Sequence, residues 1–144
     1  MHNFEPIAVI GMSGRFPMAE DAYDLDRILS GRVDAVRPMS EERRALFGIP
    51  DELAVKSRAY LDGIEYFDHE FFNISKHEAV LMDPQNRIAA ELACGAVEDS
   101  GYSLSEIRGS RTGVYLGAHS SRYADWLDDN SGLSVMGNLK DTMA

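Results

Sequence analysis

Hydrophobic positions fall into two patterns along this chain: short unbroken runs and stripes at helical spacing. Ile7-Ala8-Val9-Ile10 is an unbroken run that stops at Gly11, and Thr112-Gly113-Val114-Tyr115-Leu116-Gly117 is a second one bounded by glycines. Runs of this kind predict strands covered on both faces, as in a sheet clad by helices. The widest stripe is Ile88, Leu92 and Ala96, with Ala89, Ala93 and Val97 one step on. It predicts a buried helix with an apolar face of mostly small side chains. Both ends of that helix are marked. Asp83 is an N-cap, Pro84 suits the first helical position, and Gly101 can take the left-handed backbone beyond the end.

Weaker stripes complete the outline. Tyr23, Leu25, Ile28 and Leu29 predict a helix from Glu20 to Ser30, stopped by Gly31. A short charged helix is expected from Ser40 to Phe47, with Ser40 as cap and Glu41-Glu42 in the first turn. Asp51 to Ala59 reads as loop with a helical turn. Phe67, Phe71, Phe72 and Ile74 predict a buried aromatic cluster. Ser75 and Glu78 form a capping-box pattern ahead of a helix from Lys76 to Met82. One helical turn is expected from Leu104 to Arg108, and a helical reading stays open for Tyr123 to Leu127, of which 124–127 lie outside the residues the structure describes. Two clear strands make at best a marginal sheet, so the pattern is that of an α/β chain that looks unfinished. No internal boundary divides residues 1–144.

Composition narrows the function. The chain carries 24 acids against 14 bases, a net charge of −10 over 144 residues. Such a chain repels phosphate backbones, which argues against nucleic acid as a partner. The acidity serves solubility, or a local acidic patch that faces a basic partner. A single cysteine, Cys94, rules out an intrachain disulfide. No apolar run approaches the roughly 20 residues of a membrane span, and the start lacks a basic leader-like stretch. The expectation is a cytoplasmic protein with no membrane partner.

Local motifs add little alone. Gly11-Met12-Ser13-Gly14 lacks the spacing of a phosphate cradle, and it fails the nucleophile-elbow pattern at Arg15. A tight turn at a strand end is the reading. His69 and His77 lie among acids, but their spacing does not define a metal site, and no metal or cofactor is expected. Arg87 is expected to be a paired structural arginine, with Asp62 or Asp68 as partner. Asn73-Ile74-Ser75 matches a glycosylation sequon and carries no weight without a secretion signal.

Taken in order, these segments resemble the β-ketoacyl synthase (ketosynthase) domain of modular polyketide synthases. Glu5 to Pro17 is similar to its opening. Tyr66-Phe67-Asp68, Phe71 to Ser75 and Glu78-Ala79 resemble its middle signature. Met82-Asp83-Pro84-Gln85-Asn86-Arg87 is similar to its helix start, where Gln is usual in place of Asn86. Glu98 to Tyr102 and Thr112 to Gly117 complete the match, which runs from about Phe4 to Tyr123. The resemblance implies a thiolase-like α-β-α-β-α layered fold, of which this chain is the amino-terminal part. It further implies a homodimer and a decarboxylative Claisen condensation. An acyl group passes to an active-site cysteine. A malonyl-type extender, held on the phosphopantetheine arm of an acyl carrier protein, loses carbon dioxide and attacks the thioester.

The departures from the family are specific. Its nucleophile sits in a Thr-Ala-Cys-Ser-Ser segment, with two histidines later still, and all three are expected downstream of this chain. Cys94 stands mid-helix where Trp is usual and is expected to be structural, so no catalytic residue is assigned. Met18 replaces a frequent Gly and Leu25 a frequent Trp, both read as packing variation. His119 and Ser120 follow the second strand where related synthases line the acyl pocket, and they are the candidate substrate-binding residues. The chain alone is not expected to be catalytic. The alternatives are a truncated ketosynthase-like binding or scaffold protein, and one half of a split enzyme.

Overall fold

The computed structural model describes residues 6–46, 48–53, 57–119 and 123. They belong to two compact units, Gly14–Gly63 and the described residues of Met1–Ser13 with Ile64–Ala144.

The Gly14–Gly63 unit begins with a two-residue turn. Phe16 and Ala19 exchange backbone hydrogen bonds of 2.8 and 3.0 Å around Pro17-Met18. Met18 takes φ +64°. Proline followed by a residue at positive φ is the arrangement of a type II turn, whose third position favours glycine. The replacement of glycine by Met18 is therefore a backbone matter, not the packing variation expected from sequence. Helix α1 (Ala22–Ser30) follows, and Asp21 caps it by accepting from the Asp24 N–H. The predicted start at Glu20 lies just outside, because the capping carboxylate belongs to Asp21. Gly31 is the C-cap, and the left-handed position falls on Arg32 at φ +51°.

Helix α2 (Glu41–Leu46) is capped as expected, with the Arg43 N–H donating to Ser40 Oγ at 3.2 Å. Gly48 turns the chain at φ +59°, and Asp51–Leu53 forms a single 3-10 turn. Arginines then hold the strip Tyr60-Leu61-Asp62. Arg43 donates to the Leu61 carbonyl at 2.6 Å and lies 5.2 Å from the centre of the Tyr60 ring. Arg15 donates to the Asp62 carbonyl at 2.8 Å, and Arg37 pairs with the Asp62 carboxylate. A guanidinium presents several donors in one plane, which lets it grip backbone carbonyls and carboxylates together.

Among its described residues the other unit has three helices. Helix α3 (Lys76–Leu81) carries the full capping box: Glu78 N–H donates to Ser75 Oγ, and Ser75 N–H returns to the Glu78 carboxylate. Helix α4 (Pro84–Asp99) starts at the Asp83 cap and ends before Gly101, at φ +80°. Helix α5 (Leu104–Ile107) has a box the stripe did not reveal, with Ser103 N–H and Oγ both donating to Glu106. The aromatic cluster forms partly. Phe67 stacks on Phe72 at 5.0 Å and Phe71 meets Phe72 edge-on at 4.9 Å, but Phe71 itself stays exposed.

Three expectations need correction. Ile7–Ile10 and Thr112–Gly117 join no ladder; among the described residues the only β pairing is in isolated bridges, Phe16 with Ala19 and Arg37 with Arg58. Ile7 is 94% and Tyr115 98% exposed. A strand is defined by a neighbour that takes up its N–H and C=O groups, and apolar sequence alone supplies none. Second, α4 is not fully buried at any residue. Gly11-Met12-Ser13 lies against its C-terminal half, close to Gly95, Ala96, Asp99 and Ser100. Third, Arg87 does not pair with Asp68, which accepts the Phe71 N–H at 3.0 Å. Arg87 Nε is buried without a hydrogen-bond partner among the described residues.

Candidate functional site

The most buried point of this unit is the corner between α3 and α4. Met82 and Asp83 are 1% and 2% exposed, with Leu81 and Ala79 beside them in the buried set. A buried carboxylate needs strong donors. Asp83 finds one in the backbone N–H of Gln85 at 2.8 Å, an orphan donor of the first turn of α4. Pro84 contributes no N–H and so leaves none unpaired. The sequence Met82-Asp83-Pro84-Gln85 thus builds a rigid corner from local rules.

Two described residues beyond Gly117, His119 and Tyr123, hydrogen-bond to residues beside that corner. The Gln85 side-chain amide donates to the His119 carbonyl at 3.2 Å. The Tyr123 hydroxyl donates to the Val80 carbonyl at 2.6 Å. Val80 lies in the last turn of α3, where carbonyls lack helical partners. The chain is therefore fastened at 119 and at 123, on opposite sides of the same corner. His119 is exposed, and its backbone carbonyl is held by Gln85. Ser120, the second predicted pocket residue, lies outside the described residues. Gln85 and Tyr123 were missed by sequence reasoning. No local signal marks a contact between positions 34 or 43 residues apart.

The remaining chemistry-bearing side chains do not converge. His69 Nδ1 lies 3.0 Å from the Ile74 carbonyl, an ordinary loop closure. No group of three or more metal-ligating side chains is found among the described residues. Cys94 sits mid-way along α4, half-buried. Burial pushes its thiol up from the ordinary value, and the Glu98 charge adds to this. That is the reverse of what a nucleophilic cysteine needs, since the thiolate is the reactive form.

A capped corner of this kind can present a wall. Comparison with known proteins gives the frame for it. The family described as β-ketoacyl synthase, N-terminal domain, matches residues 4–144. Polyketide synthase PksN of Bacillus subtilis (strain 168) is 38% identical over 130 residues, covering 85% of this chain and 2% of that protein. PksM of the same organism is 40% identical over 129 residues, covering 87% of this chain and 3% of that protein. Among solved structures, the ketosynthase from module 6 of the bacillaene synthase of Bacillus subtilis 168 superposes with a TM-score of 0.56 at 41% identity. The superposition covers 67% of this chain and 17% of that one. The chain thus spans only a few per cent of the curated relatives it matches. The architecture is that of the ketosynthases, thiolase-like, although the two apolar runs pair with no strand among the described residues. On the family match through 4–144 and this structural likeness, the chain belongs to the β-ketoacyl synthase family, as its N-terminal domain.

Proposed function

We propose that this chain serves a ketosynthase of polyketide assembly, as one contiguous part of a single domain across residues 1–144. The reaction is the decarboxylative Claisen condensation. The acyl group of a thioester passes to a cysteine thiolate. A malonyl-type extender on an acyl carrier protein loses carbon dioxide. Its carbanion attacks the acyl-enzyme carbonyl and expels the thiolate, forming the carbon–carbon bond. The family match supports this reading, as does the identity with polyketide synthases. The partners are the acyl carrier protein with its phosphopantetheine arm and a second ketosynthase copy. Among the described residues no helix is long and apolar enough to cross a membrane.

Within this enzyme the chain supplies scaffold and pocket wall. His119 and Ser120 line the acyl pocket. The observation that carries the role of His119 is the hydrogen bond from Gln85 to its backbone carbonyl, beside the corner of Met82 and Asp83; Ser120 is proposed from its position next to it. The nucleophile is not among these residues: no Thr-Ala-Cys-Ser-Ser segment occurs in the sequence, and the environment of Cys94 disfavours its thiolate.

Two measurements test the reading. Incubation of the chain with a reactive acyl thioester, followed by intact-mass determination, is expected to show no adduct; a stoichiometric acyl group on Cys94 overturns it. His119→Ala in the ketosynthase carrying this chain is expected to alter the preference among acyl thioesters of different length. An unchanged preference removes His119 from the pocket.

A further inference from the structure

We propose that Arg87 is a docking point for an acidic side chain that the rest of the ketosynthase supplies. The inference rests on the proposed place of this chain within such an enzyme, and it names one contact that joins the two. The superposition covers 17% of the solved ketosynthase, so most of such a domain lies outside these residues.

Arg87 is half-buried in α4, one turn past the Asp83 cap. Its Nε is shielded from solvent and meets no acceptor, and the guanidinium takes part in no ion pair among the described residues. Two effects make that costly. A charge withdrawn from water without a partner loses hydration and gains nothing in return. The start of a helix also carries the positive end of the peptide dipoles, which disfavours a cation there. An arginine that merely lays its stem on apolar surface keeps its head in water. Arg87 departs from that, because Nε belongs to the head and is covered. The acids one turn away on either side are committed. Asp83 accepts the Gln85 N–H at 2.8 Å, and Glu91 has an interaction of its own. A carboxylate from outside the chain answers both costs. Its two oxygens match the guanidinium fork, and its charge suits the helix start.

One substitution is therefore expected to change sign with context. Arg87→Met keeps the stem and deletes the charge. In the chain alone it is expected to raise the urea midpoint, because an unpaired cation is lost. In the ketosynthase carrying this chain it is expected to lower the midpoint, because a covered carboxylate is left unpaired. Arg87→Glu is expected to lower it further there, since two acids then face each other. Phenylglyoxal labelling read by mass spectrometry is expected to modify Arg87 in the chain alone and several-fold more slowly in the ketosynthase. Where the chain alone shows no resolvable midpoint, this labelling decides. Shifts of the same sign in both proteins overturn the inference, as do equal effects of Met and Glu, or equal labelling in both. Saturable stabilisation of the chain by malonate that Arg87→Met abolishes also overturns it, because the ligand is then a small anion. If the ketosynthase condenses acyl and malonyl thioesters but Arg87→Met acts alike in both proteins, the proposed function stands and the docking contact falls. If the sign change and protection hold in a protein that does not condense them, the contact stands and the proposed function falls.

Discussion

Met12 donates its backbone N–H to the Asp99 carboxylate at 2.8 Å, tying the Gly11-Met12-Ser13 turn to the last turn of α4. The contact on either side is close. A Cβ at Gly11 would overlap the Ala96 carbonyl oxygen and stand 2.8 Å from Ser100 Cβ, whereas one at Gly95 would meet only Ser13, with Oγ at 2.7 Å. The two glycines therefore differ in what obstructs them, backbone in one case and a rotatable hydroxyl in the other.

Gly11→Ala is expected to destabilise the chain by about 1–3 kcal/mol, the usual cost of overpacking against atoms that cannot give way. Gly95→Ala is expected to be close to neutral, since helix propensity returns about 1 kcal/mol against the cost of moving Ser13. Urea midpoints of the two variants check the pair. Equal losses would mean that the turn does not rest on α4 as described.

The left-handed Met18 leads to a stabilising substitution. Holding a non-glycine residue at φ +64° costs about 1–2 kcal/mol, and the greater freedom of an unfolded glycine takes back part of it. Met18→Gly is expected to raise stability by about 0.5–1 kcal/mol. Met18→Val, β-branched and less tolerant of this backbone, is expected to lower it. Thermal melts order the three proteins, and a Val variant as stable as the parent would contradict the turn assignment.

The two capping boxes make stability depend on acidity. Hydrogen bonds from Ser75 hold the Glu78 carboxyl below its ordinary value of 4.5, and those from Ser103 do the same for Glu106. A carboxyl depressed in the folded state binds its proton more readily in the unfolded chain. Its contribution is therefore complete above 4.5 and disappears as the pH falls through the lowered folded value. Both groups lie at the surface, so the effect is small. Denaturant midpoints measured through this window should fall more steeply for the parent than for the Glu78→Gln, Glu106→Gln double variant. Parallel curves would show that the boxes do not form.

Cys94 is expected to react slowly with iodoacetamide at pH 8. Burial disfavours its thiolate and the Glu98 carboxylate adds to that. Glu98→Gln should speed alkylation modestly and leave the helix intact. A rate equal to that of free cysteine, with no response to Glu98→Gln, would place the thiol in open solvent.

The helices were legible because their signals are local. Asp83-Pro84, Ser75 with Glu78, and Ser40 ahead of two glutamates each satisfy orphan N–H groups within one turn. The order of motifs also sufficed to name the family. Two local signals were overlooked, the Ser103–Glu106 box and Pro17-Met18 as a turn requiring positive φ. The pairing of Asp62 with Arg37 was not legible, because the two stand 25 residues apart and nothing in their neighbours along the chain points to it.

What the amino-acid order determined by itself was where helices begin and end, since caps and prolines act within four residues of the groups they satisfy. The strands were a different matter. Ile7–Ile10 and Val114–Leu116 have the composition of strands, but a ladder requires a second chain segment at hydrogen-bonding distance, and that is a property of tertiary structure. The same holds for the candidate pocket. Gln85 and Tyr123 look like ordinary polar residues until folding brings the chain at 119 and 123 to the corner of Met82 and Asp83.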